Sequence, residues 1–197
     1  MTKVIGLTGG FGTGKTLAAS VFRSLGATVL DADSMALAAV AKGKPAYKKI
    51  VRAFGEDILD RSGNIDRKKL ASVVFTDKDA LAKLNRIVHP VVIADIKKKI
   101  RNSPAADAVV IDAPLLAEAN LAGIADSLVV VTCPRKRQIE RCVRKFRMPR
   151  RDVLRRIGSQ IPLKKKIVMA DFVVDNGGGR SQTKKQIRKV WREIVWK

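Results

Sequence analysis

The sequence has few of the residues on which metal-binding and secreted proteins depend. Its 197 residues include two cysteines, Cys133 and Cys142, and a single histidine, His89. Two thiols and one imidazole are too few for a disulfide framework or a Cys/His zinc site, and unpaired thiols suit a reducing cytoplasm. We therefore expect a cytoplasmic protein in which any metal ion is a hard cation bound by oxygen atoms.

Long apolar runs are also lacking. The most apolar stretch, residues 109–131, is interrupted by Asp112, Glu118 and Asp126, whereas a membrane-spanning helix needs about 18 consecutive apolar residues. The first ten residues, MTKVIGLTGG, contain no small-residue site of the kind at which a signal peptide is cleaved. We expect neither secretion nor a membrane partner.

Negative charge is scarce, because 18 Asp and Glu residues face 40 Lys and Arg residues, for a formal net charge of +22. Such an excess favours polyanionic partners, since clustered basic side chains neutralise phosphate groups. Aromatic residues that would stack on nucleic-acid bases are few, with two Trp and one Tyr. A phosphate-rich small substrate is therefore favoured over a nucleic acid.

The pattern of apolar residues indicates an α/β fold. Short apolar runs with helical segments between them are typical of a parallel sheet covered by helices. We predict a P-loop NTPase-type parallel five-stranded sheet flanked by helices. The predicted strands are Lys3–Thr8, Ala27–Asp31, Ala108–Asp112, Ser127–Val131 and Phe172–Asp175.

The strongest motif is the segment Gly9–Thr16, which matches G-x-x-x-x-G-K-S/T and lies between a predicted strand and a predicted helix. Its glycines let the backbone curl so that successive N–H groups point at phosphate oxygens, and the following helix adds the positive end of its dipole. In such a loop Lys15 reaches the β- and γ-phosphates, and the Thr16 hydroxyl binds Mg²⁺. The motif therefore predicts binding of a nucleoside triphosphate with Mg²⁺.

Two carboxylates, Asp31 and Asp33, follow the second predicted strand, at the edge of the sheet where ligands bind in open α/β folds. One of them is a candidate general base that accepts the proton of an attacking hydroxyl group. The alternative is an N-cap of the helix that begins near Ser34. We favour Asp33 as the base, because it lies beyond the end of the strand.

A third carboxylate, Asp112, ends the strand Ala108–Asp112, as the Mg²⁺-binding Asp of a Walker B strand does. A purely structural role in the turn before Pro114 is an equal alternative. The guanine-binding pattern N-K-x-D does not occur in the sequence, so an ATPase or a kinase is favoured over a GTPase.

Basic residues are concentrated between Arg135 and Ile167. Apolar residues at helical spacing indicate that this segment is an amphipathic helix. Arg141 and Arg144 lie three residues apart and hence on one face, from which they could close over ATP and stabilise the phosphoryl group in transfer. For most of the other basic residues, a solvated surface role is favoured.

Taken in order, the motifs resemble the dephospho-coenzyme A kinase family, and the resemblance covers nearly the whole chain. It implies transfer of the γ-phosphoryl group of ATP to the 3′-hydroxyl of the ribose of dephospho-coenzyme A, the last step of coenzyme A synthesis. The motifs are GLTGGFGTGKT, LDAD, FGEDIL, GNIDR, LNRIVHP, DAPLLAE, Gln138 with Arg141 and Arg144, Gln160, and ADFVVDN.

The resemblance also implies roles for single residues. Asp33 would be the catalytic base, and the helix with Arg141 and Arg144 would be a mobile lid. From the motifs themselves, Lys15, Arg141 and Arg144 are further catalytic candidates, and Thr16 and Asp112 are the candidate Mg²⁺ ligands. The implied ATP-binding residues are Gly10, Phe11, Gly12, Thr13, Gly14, Lys15, Thr16, Leu17 and Asn176. The implied acceptor-binding residues are Asp33, Arg67, His89, Pro114, Leu115 and Glu118.

We therefore expect three functional parts. Residues 1–34, 105–134 and 167–197 would form the nucleotide-binding core, residues 35–104 an inserted helical domain that binds the acceptor, and residues 135–166 a basic lid. The protein is expected to be a monomer or a small homo-oligomer. The alternatives are another small-molecule kinase, of the nucleoside monophosphate or shikimate type, and a nucleic-acid-associated ATPase.

Overall fold

A computed structural model of the chain describes residues 2–103, 107–113 and 122–196. The expected acceptor contacts Pro114, Leu115 and Glu118 lie outside the described residues. Two 3₁₀ turns, Glu56–Ile58 and Ala122–Ile124, accompany the longer elements. These are β1 (Lys3–Gly9), α1 (Lys15–Ser24), β2 (Thr28–Asp31), α2 (Ala32–Ala39), α3 (Pro45–Phe54), α4 (Arg67–Val74), α5 (Lys78–Arg101), β3 (Ala108–Asp112), β4 (Ser127–Thr132), α6 (Arg135–Phe146), α7 (Arg150–Gly158), α8 (Leu163–Val168), β5 (Phe172–Asp175) and α9 (Arg180–Val195).

The five strands form one sheet in the order β2-β3-β1-β4-β5. β1 pairs in parallel with both β3 and β4, and β4 pairs in parallel with β5. Because parallel strands end at the same edge of a sheet, the loop after β1 lies between the ends of β3 and β4. The predicted α/β fold with a five-stranded parallel sheet is confirmed.

Helices α1 and α9 cover one face of this sheet. The ring of Phe22 in α1 and the indole of Trp191 in α9 are both buried, with centroids 6.2 Å apart. In β3 the three central residues, Val109, Val110 and Ile111, are fully buried on both faces of the strand, as expected for a central parallel strand. This packing fixes the start of α1, and therefore the end of the loop that precedes it.

The described chain forms two compact units. One consists of residues 1–30 and 100–197 and contains the sheet, and the other consists of residues 31–99 and contains α2 to α4 and most of α5. The finer division of the chain into core, acceptor domain and lid remains a prediction.

In the helical unit, two aspartates organise the chain before α4. Asp60 accepts hydrogen bonds from the backbone N–H groups of Asn64 and Ser62, each at 2.9 Å, and the bond from Asn64 contributes most to holding the pKa of Asp60 below its usual value. Asp66 caps α4 by accepting from the N–H groups of Lys68 and Lys69. The cap fixes where α4 begins, at Arg67.

The basic segment differs from the prediction of an amphipathic helix over residues 135–167. It forms three short helices, α6, α7 and α8. Arg147 ends α6 in the left-handed conformation, with φ of 50°, and Pro149 and Pro162 stand immediately before α7 and α8. A proline is tolerated at a helix start but lacks the N–H that a helix interior needs, so each proline begins a new helix.

Helix α5 contains a proline in its interior and is not interrupted there. The helix runs for 24 residues through Pro90, which leaves the carbonyl of Arg86 without its usual helical donor. Although α5 is the longest described helix, no helix in the described ranges has both the length and the apolar content needed to cross a membrane.

Candidate active site

The loop Gly9–Thr16 joins the central strand β1 to helix α1 and curls tightly at two glycines. Gly12 and Gly14 have φ of 79° and 99°, which residues with side chains rarely adopt. A Cβ atom on Gly14 would lie 1.9 Å from Nδ2 of Asn176, and one on Gly12 would lie 2.1 Å from Sγ of Cys142. Neither position can therefore accept a side chain while its neighbour stays in place.

Buried hydrogen bonds hold the middle of this loop. The hydroxyl and the backbone N–H of Thr13 both donate to the carbonyl of Gly10, at 2.9 and 3.1 Å. The side-chain amide of Asn176 donates to the Thr13 carbonyl at 2.7 Å, and its oxygen accepts from the Thr183 hydroxyl at 3.0 Å. The Thr13 and Asn176 side chains thus maintain the loop in which a phosphate would bind.

The ammonium group of Lys15 forms an ion pair with the carboxylate of Asp112, and both side chains are less than one-fifth exposed. Asp112 reaches this place because β3 pairs with β1 in a register that sets it beside Leu7. A phosphate that binds Lys15, or a cation that binds Asp112, would have to share or replace this pair. The structure therefore places Asp112 beside the lysine of the loop, and its binding of Mg²⁺ stays a prediction.

Helix α1 begins at the loop, and no described side chain caps the N–H groups at its amino terminus. Its N-cap is Gly14, and no side chain of the described residues hydrogen-bonds to cap it or adds an acidic group in its first turn. The Leu17 N–H turns back to the Gly14 carbonyl at 2.9 Å, and the Thr16 side chain is exposed. The free N–H groups and the helix dipole together favour a bound anion.

A pocket of about 870 Å³ opens above this loop within the sheet-containing unit. Arg141 and Arg144 both line it, and Nη1 of Arg141 is buried without a hydrogen-bond partner among the described atoms. A buried guanidinium nitrogen without an acceptor is costly, so the pocket suits an anionic ligand. The other lining residues are Gly9, Gly10, Phe11, Gly12, Gly14, Lys15, Thr16, Leu17, Ser20, Cys142, Lys145, Phe146, Gln160, Asn176 and Arg180.

The two aspartates after β2 have different surroundings. Asp31 is the N-cap of α2 and accepts hydrogen bonds from the N–H and hydroxyl groups of Ser34, at 3.1 and 3.0 Å. Asp33 lies in the first turn of the same helix with its side chain exposed. The capping role therefore belongs to Asp31, which leaves Asp33 as the candidate base.

The helical unit contains its own pocket of about 510 Å³, between α2, α3, α4 and α5. Most of its lining is apolar, including Leu37 and Phe75, and the basic side chains of Lys42 and Arg67 also line it. Two expected acceptor contacts can be placed relative to it. Arg67 belongs to its wall, and His89 follows Val88, which lines it.

His89 is half-buried in α5, and its loss of hydration lowers the pKa of the imidazole from the usual value. The side chain is thus biased towards the neutral form, in which one ring nitrogen can accept a hydrogen bond.

The sequence analysis missed several residues that line the pocket above the loop Gly9–Thr16. Arg180 is the first residue of α9, where the helix dipole disfavours a cation, and it follows three glycines at positions 177–179. That combination of a glycine run and a basic helix start was the available signal. Ser20, Cys142, Lys145 and Phe146 carried no such signal, because only the packing of α1 and α6 brings them to the pocket.

Comparison with known proteins decides the family. A model of the family described as dephospho-CoA kinase matches residues 3–182. The chain belongs to the dephospho-CoA kinase family. Curated members include a dephospho-CoA kinase of Aquifex aeolicus, 42% identical over 193 residues that cover 98% of each chain. Another, of Carboxydothermus hydrogenoformans, is 39% identical over 196 residues that cover 98% of this chain and 95% of the relative.

Solved structures share the fold of this chain. A crystal structure from Thermus thermophilus is 29% identical, with a TM-score of 0.86 and 98% of both chains covered. A shikimate kinase of Acinetobacter baumannii is 17% identical, with a TM-score of 0.52, and covers 100% of this chain and 94% of its own. The second likeness concerns the fold alone, which the family shares with other P-loop kinases.

Proposed function

We propose that this protein transfers the γ-phosphoryl group of ATP to the 3′-hydroxyl of the ribose of dephospho-CoA and so produces CoA. Membership of the dephospho-CoA kinase family supports both the reaction and the acceptor. The observation that carries the proposal is a single pocket that combines the glycine-rich loop with Lys15, Arg141 and Arg144. These are the groups needed to bind a triphosphate and stabilise its transfer.

The phosphates of ATP would bind to the loop and the start of α1. Free N–H groups there would donate to the phosphate oxygens, and Lys15 would exchange its bond with Asp112 for one with the β- and γ-phosphates. Arg141 would gain an acceptor for its buried Nη1, which has none among the described residues. Arg144 would neutralise charge that moves towards the leaving ADP oxygen as the γ-phosphoryl group departs.

The oxygen atoms near Lys15 also suit Mg²⁺. Thr16 offers an exposed hydroxyl and Asp112 a carboxylate, and Mg²⁺ commonly takes only one or two protein oxygens, with water and phosphates completing its shell. Once bound, the cation would offset the negative charge of the phosphates. Thr16 and Asp112 are the residues that we propose to hold it.

The acceptor would bind in the helical unit. Its pocket combines an apolar wall with Arg67 and Lys42, and dephospho-CoA likewise combines an extended, weakly polar arm with a pyrophosphate. The neutral imidazole of His89 would add a hydrogen-bonding group near Val88. The remaining acceptor contacts proposed are Pro114, Leu115 and Glu118.

Asp33 would act as the general base. Its carboxylate would accept the proton of the 3′-hydroxyl as that oxygen attacks the γ-phosphorus and ADP leaves. Three observations support this role: Asp33 is exposed, it lies two residues beyond the end of β2, and Asp31 already performs the capping of α2.

The test is to incubate the purified protein with ATP and Mg²⁺ and to offer dephospho-CoA, AMP and shikimate separately. We expect CoA, identified by mass spectrometry, and no phosphorylated product from AMP or shikimate. The inactive variant for comparison is Lys15→Ala. Its matched control is Lys189→Ala, which removes an exposed lysine far from the loop in sequence.

Two results would overturn the proposal. One is phosphorylation of AMP or shikimate in place of dephospho-CoA. The other is ATP turnover that no acceptor stimulates but single-stranded RNA or DNA does, because the net charge of +22 would then be explained by a nucleic-acid partner.

A further inference from the structure

Phe11, the third residue of the glycine-rich loop, has both of its backbone polar groups bound by side chains from distant parts of the chain. Its N–H donates to Oε1 of Gln160 at 2.8 Å, and its carbonyl accepts from Nε2 of Gln138 at 2.7 Å. The thiol of Cys142 adds a weaker contact to the same carbonyl at 3.8 Å. A loop peptide held on both sides in this way cannot rotate freely.

The ring of Phe11 is held as well. It stacks on Phe146 with centroids 5.1 Å apart and an interplanar angle of 20°, and the guanidinium of Arg156 lies 5.5 Å from its centroid. It also packs against the small core between α6 and α7, which contains Ile139, Cys142 and Val153. The loop therefore inserts one side chain into the helix pair that carries the pocket arginines.

The positions on α6 explain why this contact matters for the pocket. Gln138, Cys142 and Phe146 are four residues apart and form one face of the helix, and that face holds Phe11. Arg141 lies next to this face and Arg144 lies farther round the helix, and both line the pocket. When Phe11 fixes the face of α6, it also fixes the direction of the two arginines.

We propose that Phe11, held by Gln138 and Gln160, is a positioning residue that couples the phosphate-binding loop to the α6–α7 pair. Nucleotide binding to the loop then orders α6 and α7, and ordered helices in turn keep the loop curled for phosphate. The inference rests on the proposed function only in that the bound ligand is an adenine nucleotide. None of the three side chains is required to touch the nucleotide.

The Phe11 N–H belongs to the loop residues that the family resemblance assigned to ATP binding. That N–H already donates to the amide oxygen of Gln160. The coupling requires this bond to persist when a nucleotide binds, so that the neighbouring N–H groups of the loop bind the phosphates.

The test uses ADP as the probe and measures binding as well as activity. The variants are Phe11→Ala, Phe11→Leu, Gln138→Ala and Gln160→Ala. The matched control is Gln186→Ala. The Gln186 side chain likewise makes two hydrogen bonds to a backbone, with the N–H and the carbonyl of Asp175, and these do not involve the loop. ADP affinity is measured by calorimetry, and amide hydrogen exchange is followed over residues 135–158 with and without ADP.

For the wild type, we expect ADP to slow exchange in α6 and α7. In Phe11→Ala that protection should be lost and the Kd for ADP should rise about tenfold. Phe11→Leu, which keeps the apolar contact, should lie between the two. Each glutamine variant should raise the Kd by a smaller factor, and Gln186→Ala should leave both the Kd and the protection unchanged.

The proposal falls if ADP does not protect α6 and α7 in the wild type, or if Phe11→Ala keeps both the protection and the affinity. Should Phe11→Ala fail to fold, the two glutamine variants decide the question by the same readouts. Failure of the proposed function is seen separately. If ADP protects α6 and α7 as expected but the protein makes no CoA, the coupling stands and the proposed kinase function is wrong.

Discussion

The side-chain amide of Asn176, at the end of β5, donates to the carbonyl of Thr13, 163 residues earlier, over a distance of 2.7 Å in the buried interior. The oxygen of the same amide accepts from Thr183 in α9. The phosphate-binding loop is thereby tied to the far end of the sheet. The family resemblance implies that Asn176 binds ATP, and the structure shows that it braces the loop.

Asn176→Ala should lower the free energy of unfolding by about 1–3 kcal/mol, because it leaves the Thr13 carbonyl buried without its donor. Urea denaturation monitored by the two tryptophans would measure the change. Asn176→Asp is the paired variant, since a carboxylate can accept from Thr183 but cannot donate to Thr13. Equal stability of wild type and Asn176→Ala would contradict the bracing role.

Gly14→Ala should abolish ADP binding while much of the fold remains. The new Cβ would lie 1.9 Å from the Asn176 amide, and the residue would need φ of 99°. Gly123→Ala is the control, because a Cβ there meets nothing within 4 Å. Calorimetric titration with ADP would compare the two, and tight binding by Gly14→Ala would show that the loop adopts a different curl.

Asp33→Asn should reduce kcat by about a hundredfold or more and leave ATP affinity nearly unchanged, since it removes a proton acceptor without removing a phosphate contact. Asp31→Ala should do the reverse. It should lower stability by about 1 kcal/mol through loss of the cap on α2 and retain most of kcat. Steady-state kinetics and thermal melting of both variants would test the assignment, which is wrong if Asp31→Ala is the inactive one.

The stability of the protein should decrease as the pH falls from about 7.5 to 5.5. Burial lowers the pKa of His89 in the folded state below the ordinary value of 6.5, so the unfolded chain takes up a proton that the folded chain resists. Stability is therefore fully present above the unfolded pKa and is lost as the pH falls from there through the lower pKa of the folded state. Because His89 is the only histidine, His89→Gln should flatten the dependence in urea titrations at the two pH values.

The sequence was sufficient for the parts of the site that are local in the chain. The loop Gly9–Thr16, the strand before it and the helix after it follow from neighbouring residues, and so does the pair Asp31 and Asp33. Which of the two caps α2 required the structure, because both can cap a helix and both follow a strand. The N–H and hydroxyl groups of Ser34 donate to Asp31, which assigns the cap to Asp31, and the role of Asp33 as the base stays a prediction.

Contacts between distant segments could not be predicted in the same way. The hydrogen bond from Phe11 to Gln160 spans 149 residues, and the one from Gln138 to Phe11 spans 127. No sequence pattern around either glutamine indicates which residue it will bind. The division of the basic segment into three helices was easier to predict from the sequence. Pro149 and Pro162 are visible in the sequence, but the regular apolar spacing of α6 was extended past them.

The thiol of Cys142 is fully buried against the loop, and burial raises the pKa of that thiol. A thiol that is both covered and protonated reacts slowly with alkylating reagents. Any adduct on its sulfur would also occupy the space next to Gly12 into which not even a methyl group fits. The rate at which Cys142 becomes alkylated would therefore measure how often α6 separates from the loop.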